Sequence, residues 1–290
     1  MTVTLITGTS TGIGLATALH LAARGHLVYA SMRDLSRGNI LREAAASNRL
    51  PIKLLELNVD SEVSVQLAVG KVLAEEGQID VLVNNAGIAP FGAIELTSDD
   101  KVKSVFETNF FGALRAIRAV LPSMRERRSG TIVNVSSVAG RVAVNCMGIY
   151  AASKFALEAA SEALAQELYP HGIRVVIIEP GIIVTPILGK ALSELSLDPA
   201  LPYVAAERRI NAIFTQGQET GGHPQVVADA IESALTTKTP KLRFLAGSDA
   251  GVFVTGRSRM SDEEWVAMGR HETDEDYFQE FGARFPMPSS

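Results

Sequence analysis

A single cysteine, Cys146, stands among 290 residues, so the chain carries neither a disulfide framework nor a cysteine-built metal site. Its five histidines are scattered, and none falls at a metal-binding spacing such as H-E-x-x-H. No apolar stretch approaches the roughly 18 residues of a membrane-crossing helix. Met1-Thr2-Val3-Thr4 leads straight into an apolar run, with no basic segment ahead of it. Basic clusters are almost missing as well. Only Arg125-Glu126-Arg127-Arg128 stands out, with the pattern of a solvated helix end, and the net charge of -5 gives no footing for nucleic acid or an anionic membrane surface. The expectation is a soluble cytoplasmic protein with a small-molecule partner and no metal, nucleic acid or membrane.

The chain is 47% hydrophobic and 20% charged, enough to bury a sizeable core in one domain. Short β-branched runs at residues 3–7, 27–31, 52–57, 81–84, 131–136, 174–179 and 242–246 alternate with helix-length patterns at 14–24, 62–76, 101–127, 149–168 and 224–236. Several of the runs are apolar throughout, as strands covered on both faces must be. Strand and helix in alternation predict an α/β fold with a doubly wound parallel sheet in a single domain, residues 1–290. Two regions break the rhythm. Residues 187–222 form an insertion too long for an ordinary connection, and residues 247–290 form a C-terminal extension holding the only tryptophan, Trp265. Within the extension, residues 261–280 carry eight acidic side chains and one Arg, the pattern of a partly solvated face.

The first strand candidate ends in Thr7-Gly8-Thr9-Ser10-Thr11-Gly12-Ile13-Gly14, and a helical pattern follows at once. Glycines at these places permit a tight turn, close approach of backbone to a pyrophosphate, and close packing of helix on sheet. The helix start then offers free N–H groups and a positive dipole end to phosphate. An ordinary Gly-rich turn would look similar, but a place on the first βα unit favours phosphate. The spacing is G-x-x-x-G-x-G, not G-x-G-x-x-G, and no Lys follows to make a P-loop. Further on, Tyr150 and Lys154 stand four apart in a helical stretch, which puts phenol and ammonium on one face. A phenol has a pKa of about 10; a neighbouring ammonium lowers it and suits the hydroxyl to donate or accept a proton. By spacing alone, a half-buried Tyr beside a solvated Lys is the simpler reading.

Taken together, T-G-x-x-x-G-I-G at residues 7–14, Asn84-Asn85-Ala86-Gly87, Asn109 in Asn109-Phe110-Phe111-Gly112, Ser136-Ser137, Tyr150-x-x-x-Lys154 and Pro180-Gly181 resemble the short-chain dehydrogenase/reductase family. The resemblance runs from about residue 2 to residue 185 and implies a seven-stranded Rossmann-like sheet, matching the seven runs counted above. It implies that Tyr150 is the acid/base, that Lys154 tunes it and bonds the nicotinamide ribose, and that Ser137 holds the reacting oxygen. Asn109 would hold a water that links Lys154 to solvent. The cofactor would lie on Gly8, Ser10, Thr11, Gly12, Ile13 and Gly14, on Arg33, Asn58 and Val59 at strand ends, and on Asn85, Ala86 and Gly87. Tyr150, Lys154, Pro180, Gly181, Ile183 and Thr185 would complete its site. Members are most often dimers or tetramers through the helices at 101–127 and 149–168, so a homodimer or homotetramer is expected.

At the second strand end the family's acidic position is Met32, followed by Arg33. A guanidinium suits a 2′-phosphate, so NADP(H) is favoured, with NAD(H) possible because Asp34 is near enough to turn inward. Asn58 stands where the family commonly has Asp, and its amide oxygen can still accept the adenine amino group. Residues 138–149 are mostly apolar and, with Ile182 and Ile183, predict a pocket for a hydrophobic ketone or alcohol, although packing would account for the same residues. Arg141 reads as a surface loop residue, and Cys146 as an inert small hydrophobe. Residues 187–222 are expected to form a helical substrate lid. The activity implied is carbonyl–alcohol interconversion by a ketoreductase. The alternatives are an NAD-dependent steroid- or retinol-like alcohol dehydrogenase and a non-catalytic NADP(H) sensor on the same fold. Such a sensor would not need Ser137, Tyr150 and Lys154 together.

Overall fold

A computed structural model describes residues 1–286. The seven apolar runs become strands β1 Val3–Ile6, β2 Leu27–Met32, β3 Ile52–Glu56, β4 Val81–Asn84, β5 Gly130–Val135, β6 Ile173–Pro180 and β7 Arg243–Ala246. They form one sheet in the order β3-β2-β1-β4-β5-β6-β7, with every pairing parallel. The helices are α1 Gly12–Ala23, α2 Asn39–Ser47, α3 Glu62–Glu76, α4 Asp99–Phe106, α5 Gly112–Arg127, α6 Gly148–Leu168, α7 Pro186–Leu192, α8 Val204–Thr220, α9 Pro224–Thr236, α10 Ala250–Ser258, α11 Asp262–Ala267 and α12 Asp274–Arg284. The expected doubly wound, Rossmann-like α/β fold is what forms.

Strand alternation explains why both faces are apolar. Val3, Leu5, Ile173 and Val175 point to one side and pack with Val65, Val69 and Val72 of α3 and Ile117, Val120 and Met124 of α5. Ile6, Val176 and Ile178 point to the other and meet Ala18 and Leu21 of α1 and Val227 and Ile231 of α9. Leu5, Ile6, Leu82 and Ile132 are fully buried, and each contributes about 1.5–3 kcal/mol of hydrophobic stabilisation. Local signals set the helix ends. The Ser61 and Ser98 hydroxyls accept the N–H groups of Ser64 and Lys101, and Gly77 ends α3 in the left-handed conformation at φ 75°.

Three features depart from the pattern expected of the sequence. Helix α2 forms in a stretch where no helix was expected, and it buries only Leu41. The single helix expected over 101–127 is instead α4 and α5, joined by a π-helical turn at Glu107–Phe111. Two close contacts account for the widened turn. The Asn109 side chain is pulled toward the segment after β4, and α5 packs so near β3 that a Cβ on Gly112 would lie 2.9 Å from Val59. The extension beyond residue 247 is helical, with Phe253, Tyr277, Phe281 and Phe285 in an aromatic cluster against Val138, Ile182 and Ile213. Its last four residues lie outside the described residues. No helix among those described is long and apolar enough to cross a membrane.

Candidate active site

Because β1 lies between β2 and β4, its neighbours are reached by crossovers to opposite sides, which opens a crevice at the carboxyl ends of the strands. The glycine-rich turn sits in that crevice. Gly8 and Gly12 have φ of +72° and +58°, left-handed values that a side chain would strain. A Cβ on Gly14 would run into the Gly8 carbonyl and the Asn85 amide. Thr11, just before α1, makes no side-chain cap, and the first turn of α1 contains no acidic residue. The first N–H groups of α1 and its dipole are therefore left for an anion, and the cradle fits a pyrophosphate.

Side chains that do not meet a phosphate hold this cradle. The Asn85 amide donates to the carbonyls of Thr7 and Gly8 at 2.9 Å each. The Thr7 hydroxyl accepts the N–H groups of Asn85 and Ala86 at 3.0 and 3.1 Å. Sequence reasoning passed over Thr7, although its place at the end of β1 beside the first glycine was the available signal.

The crevice widens into a cleft of about 1810 Å³. Gly8, Ser10, Thr11, Gly12, Ile13, Gly14, Arg33, Val59, Asn85, Ala86, Gly87, Tyr150, Lys154 and Thr185 all line it, as expected of a cofactor site. Pro180, Gly181 and Ile183 line the adjoining pocket instead. Asn58 lines neither; its Oδ1 accepts the Asp60 N–H at 3.2 Å and closes the turn after β3. Three charged residues reach the cleft unforeseen: Arg37, Asp60 and Lys190. Their sequence neighbourhoods carry no motif, so only the fold brings them there. Arg33 lies 3.9 Å from Asp60 at the β2 edge. Asp34 also faces the cleft, but the Ser36 hydroxyl, and then the Ser36 N–H at 2.9 Å from one of its oxygens, hold its pKa below the ordinary carboxylate range.

Helix α6 brings Tyr150 and Lys154 to the same end of the sheet. The Lys154 Nζ donates to the Val135 carbonyl at 2.9 Å and lies 5.8 Å from the centre of the Tyr150 ring. Burial drives its pKa down to about 8, and the Glu158 carboxylate one helical turn on opposes the fall. Burial also pushes the Tyr150 phenol up, while a hydrogen bond with Ser137 pulls it back. The lowering expected from Lys154 is not what sets the phenol: desolvation gives the direction, and the ammonium is anchored on the Val135 carbonyl rather than on the phenol. Ser137 lies two residues beyond β5, and its hydroxyl accepts the Ala139 N–H at 3.1 Å. Ser136 turns instead toward Glu158 and Gly140.

Asn109 is buried, with its carbonyl oxygen and both amide hydrogens engaged. Its Oδ1 accepts the Ile88 N–H at 2.8 Å, and its amide donates to the Ile88 carbonyl and the Ser153 hydroxyl at 2.9 Å each. The side chain therefore ties the β4 edge to α6 and positions Tyr150 and Lys154 from behind. Glu158 was missed by sequence reasoning. It is buried and bonded to Arg243 at 3.0 Å. Arg141 is turned away, paired with Glu179 at 3.0 Å. Burial pushes the Cys146 thiol up to about 11, which keeps it a protonated, unreactive hydrophobe.

Beside Tyr150 an apolar pocket of about 850 Å³ opens, walled by Val138, Val142, Val144 and Met147 from the loop before α6, by Ile182 and Ile183 after β6, and by Leu188 and Ala191 of α7. Phe91, Phe214 of α8 and Phe253 of α10 complete it. The loop and the two isoleucines were expected there; the three phenylalanines were not. They come from three distant parts of the chain. Among the described residues no group of three or more His, Cys, Asp or Glu could hold a metal ion.

A cleft long enough for a dinucleotide runs into a hydroxyl-lined junction with an apolar pocket, and its innermost cation is a buried lysine. Fold and site together define an oxidoreductase of the nicotinamide-dependent kind. The sequence relationship is narrower: a family model described as short chain dehydrogenase matches residues 2–195, and the chain belongs to that family. It is 37% identical over 244 residues to a 3-ketodihydrosphingosine reductase of Bacteroides thetaiotaomicron, covering 84% of this chain and 87% of that one. It is 40% identical over 250 residues to human retinol dehydrogenase 8, covering 82% and 79%. Among solved structures, a short-chain dehydrogenase from Streptomyces avermitilis is 35% identical with a TM-score of 0.78, over 93% of this chain and 99% of that one. An alcohol dehydrogenase from Thermococcus sibiricus, solved with 5-hydroxy-NADP, is 26% identical with a TM-score of 0.71, over 86% and 97%.

Proposed function

We propose that this protein interconverts a carbonyl and a secondary alcohol on a hydrophobic substrate, using NADP(H) in preference to NAD(H). The observation that carries the reading is that Tyr150 lines both the cofactor cleft and the apolar pocket. A substrate oxygen at that junction meets the Tyr150 and Ser137 hydroxyls while its carbon faces the nicotinamide end of the cleft. A bound nicotinamide supplies or accepts the hydride. Tyr150 gives a proton to the oxygen in reduction and takes one in oxidation. Ser137 holds the oxygen in place, and the Lys154 ammonium favours the phenolate as it forms. The guanidinium groups of Arg33 and Arg37 both reach the cleft near β2, which suits a 2′-phosphate. The Thermococcus sibiricus neighbour, with its NADP analogue, supports the same choice, and the reductase and retinol dehydrogenase relatives support an apolar carbonyl or alcohol substrate.

In this reading residues 187–222, which fold as α7 and α8 around the pocket mouth, act as the substrate lid. Residues 247–286 brace that lid. The protein works in the cytoplasm as a homodimer or homotetramer through α5 and α6, where Phe111, in the turn just before α5, and Phe155 of α6 are 45% and 43% exposed. Two measurements test the assignment together. Purified protein mixed with NADPH and a panel of ketones should consume the absorbance of the cofactor. Tyr150→Phe should lower that rate by at least about a hundredfold and leave the cofactor Kd nearly unchanged. Cofactor binding without turnover of any ketone or alcohol would favour the non-catalytic sensor.

A further inference from the structure

The pocket carries its polar side chains at one end. Ser136, Ser137, Tyr150 and Thr185 are the polar residues of its lining, and three of them, Ser136, Tyr150 and Thr185, also line the cofactor cleft. Ser137 stands beside Tyr150. Ser137, Tyr150 and Thr185 therefore gather at the junction where the reacting oxygen must sit, while the Ser136 hydroxyl is turned away toward Glu158. Away from it, among the described residues, the wall offers Val, Ile, Leu, Ala, Met and Phe side chains and neither a charge nor an amide nor an imidazole.

Buried charges do lie behind this wall, but each is committed elsewhere. Glu207 accepts the Leu197 N–H at 3.0 Å. Arg209 donates to Asp274 at 2.9 Å and to the His271 and Thr273 carbonyls at 2.8 and 3.1 Å, and it covers the Tyr277 ring. Asp249 accepts the Ile182 N–H at 2.7 Å. Even the Ala143 carbonyl in the pocket loop is taken, by the Trp265 indole at 3.2 Å. A second polar group on the substrate would leave water for a wall with no side-chain partner to give it.

We infer that the substrate is a one-headed amphiphile, whose polar atoms all lie at or beside the reacting carbon and whose remainder is a hydrocarbon chain or ring system. Compounds with a second polar group at the far end are excluded. The inference rests on the carbonyl–alcohol reading above and refines it. Each added methylene that enters the pocket should raise kcat/KM about fourfold until the Phe-lined end is reached. A terminal hydroxyl should lower kcat/KM by about 10- to 100-fold against the parent ketone.

The test uses the full-length protein with NADPH and unbranched methyl ketones from pentyl to undecyl, each paired with its ω-hydroxy derivative. Short polar ketones and keto acids serve as a third set. Rising rates along the series with a penalty for every ω-hydroxy partner are expected. A flat series, equal rates for parent and ω-hydroxy ketone, or turnover confined to the polar set would each overturn the one-headed assignment while leaving the oxidoreductase reading intact. Failure of all three sets, and of the matching alcohols with NADP, would instead remove the reading on which it rests.

Discussion

The cofactor cleft and the substrate pocket share Tyr150, yet they are built by different means. The cleft is backbone chemistry. Left-handed glycines and the uncapped start of α1 create a phosphate cradle within one turn, and Asn85, brought in from the end of β4, clasps it to Thr7. The pocket is side-chain chemistry gathered from far apart: Phe91 after β4, the 138–147 loop, the Ile182–Ile183 pair, Phe214 of α8 and Phe253 of α10. The lesson is that this fold fixes its cofactor locally and its substrate globally. Substitutions in the one should move cofactor constants, and substitutions in the other should move substrate constants through a distant brace.

That division is open to attack at several points. The largest effect is expected on the substrate side. Arg209 is 4% exposed, and it bonds Asp274 and two carbonyls of the extension. Arg209→Ala leaves the His271 and Thr273 carbonyls without their donor, while Asp274 keeps Arg208, and should destabilise the protein by about 1–3 kcal/mol. KM for an apolar ketone should rise while the NADPH Kd stays put; an equal loss of cofactor affinity would show that the two halves are not separable. Arg208→Ala, on the exposed side of the same carboxylate, should have a much smaller effect. The carboxylate itself is held down to about 2 by the two guanidinium groups. Its contribution should therefore be present above the ordinary Asp range and be lost only as pH falls toward 2.

Next in size is the cofactor side. Arg33→Asp removes a guanidinium and adds a charge facing the place of the 2′-phosphate, so the NADPH Kd should rise about 10- to 100-fold and the NADH Kd far less. Parallel titrations of both cofactors check this. Equal changes would move the preference to Arg37, which reaches the same cleft.

The smallest effect tests the junction. The Lys154 pKa is about 8, so reduction should fall as pH rises through about 8 and the ammonium is lost. Glu158 is the charge that raises it, so in Glu158→Gln the fall should begin at lower pH, by up to about one unit. A pH–rate profile of reduction in both proteins reads the shift directly, and an unchanged alkaline limb would mean that Glu158 serves only the ion pair with Arg243.

Much of the fold was legible in order. All seven strands lie within one or two residues of their apolar runs, because strands covered on both faces need nothing but continuous β-branched hydrophobicity. The glycine-rich turn was legible for a different reason, its short spacing, whereas Tyr150, Lys154 and Ser137 were marked by the family resemblance rather than by spacing alone. The interruption of the helix at Asn109 was not, because its cause is a set of hydrogen bonds to Ile88 and Ser153, 21 and 44 residues away. Asn58 looked like an adenine ligand by position, yet its amide closes its own turn on Asp60. A short polar side chain finds its nearest backbone partner first.

By itself the sequence determined the sheet and the glycine-rich phosphate turn, since periodicity and short spacings are properties of neighbouring residues; the roles proposed for Tyr150 and Lys154 rest on the family resemblance. Tertiary structure alone decided which charges face the cleft, that burial raises the Tyr150 phenol, and that three phenylalanines from α8, α10 and the β4 edge close an apolar pocket. Desolvation and packing depend on what lies across space. No window along the chain contains that information.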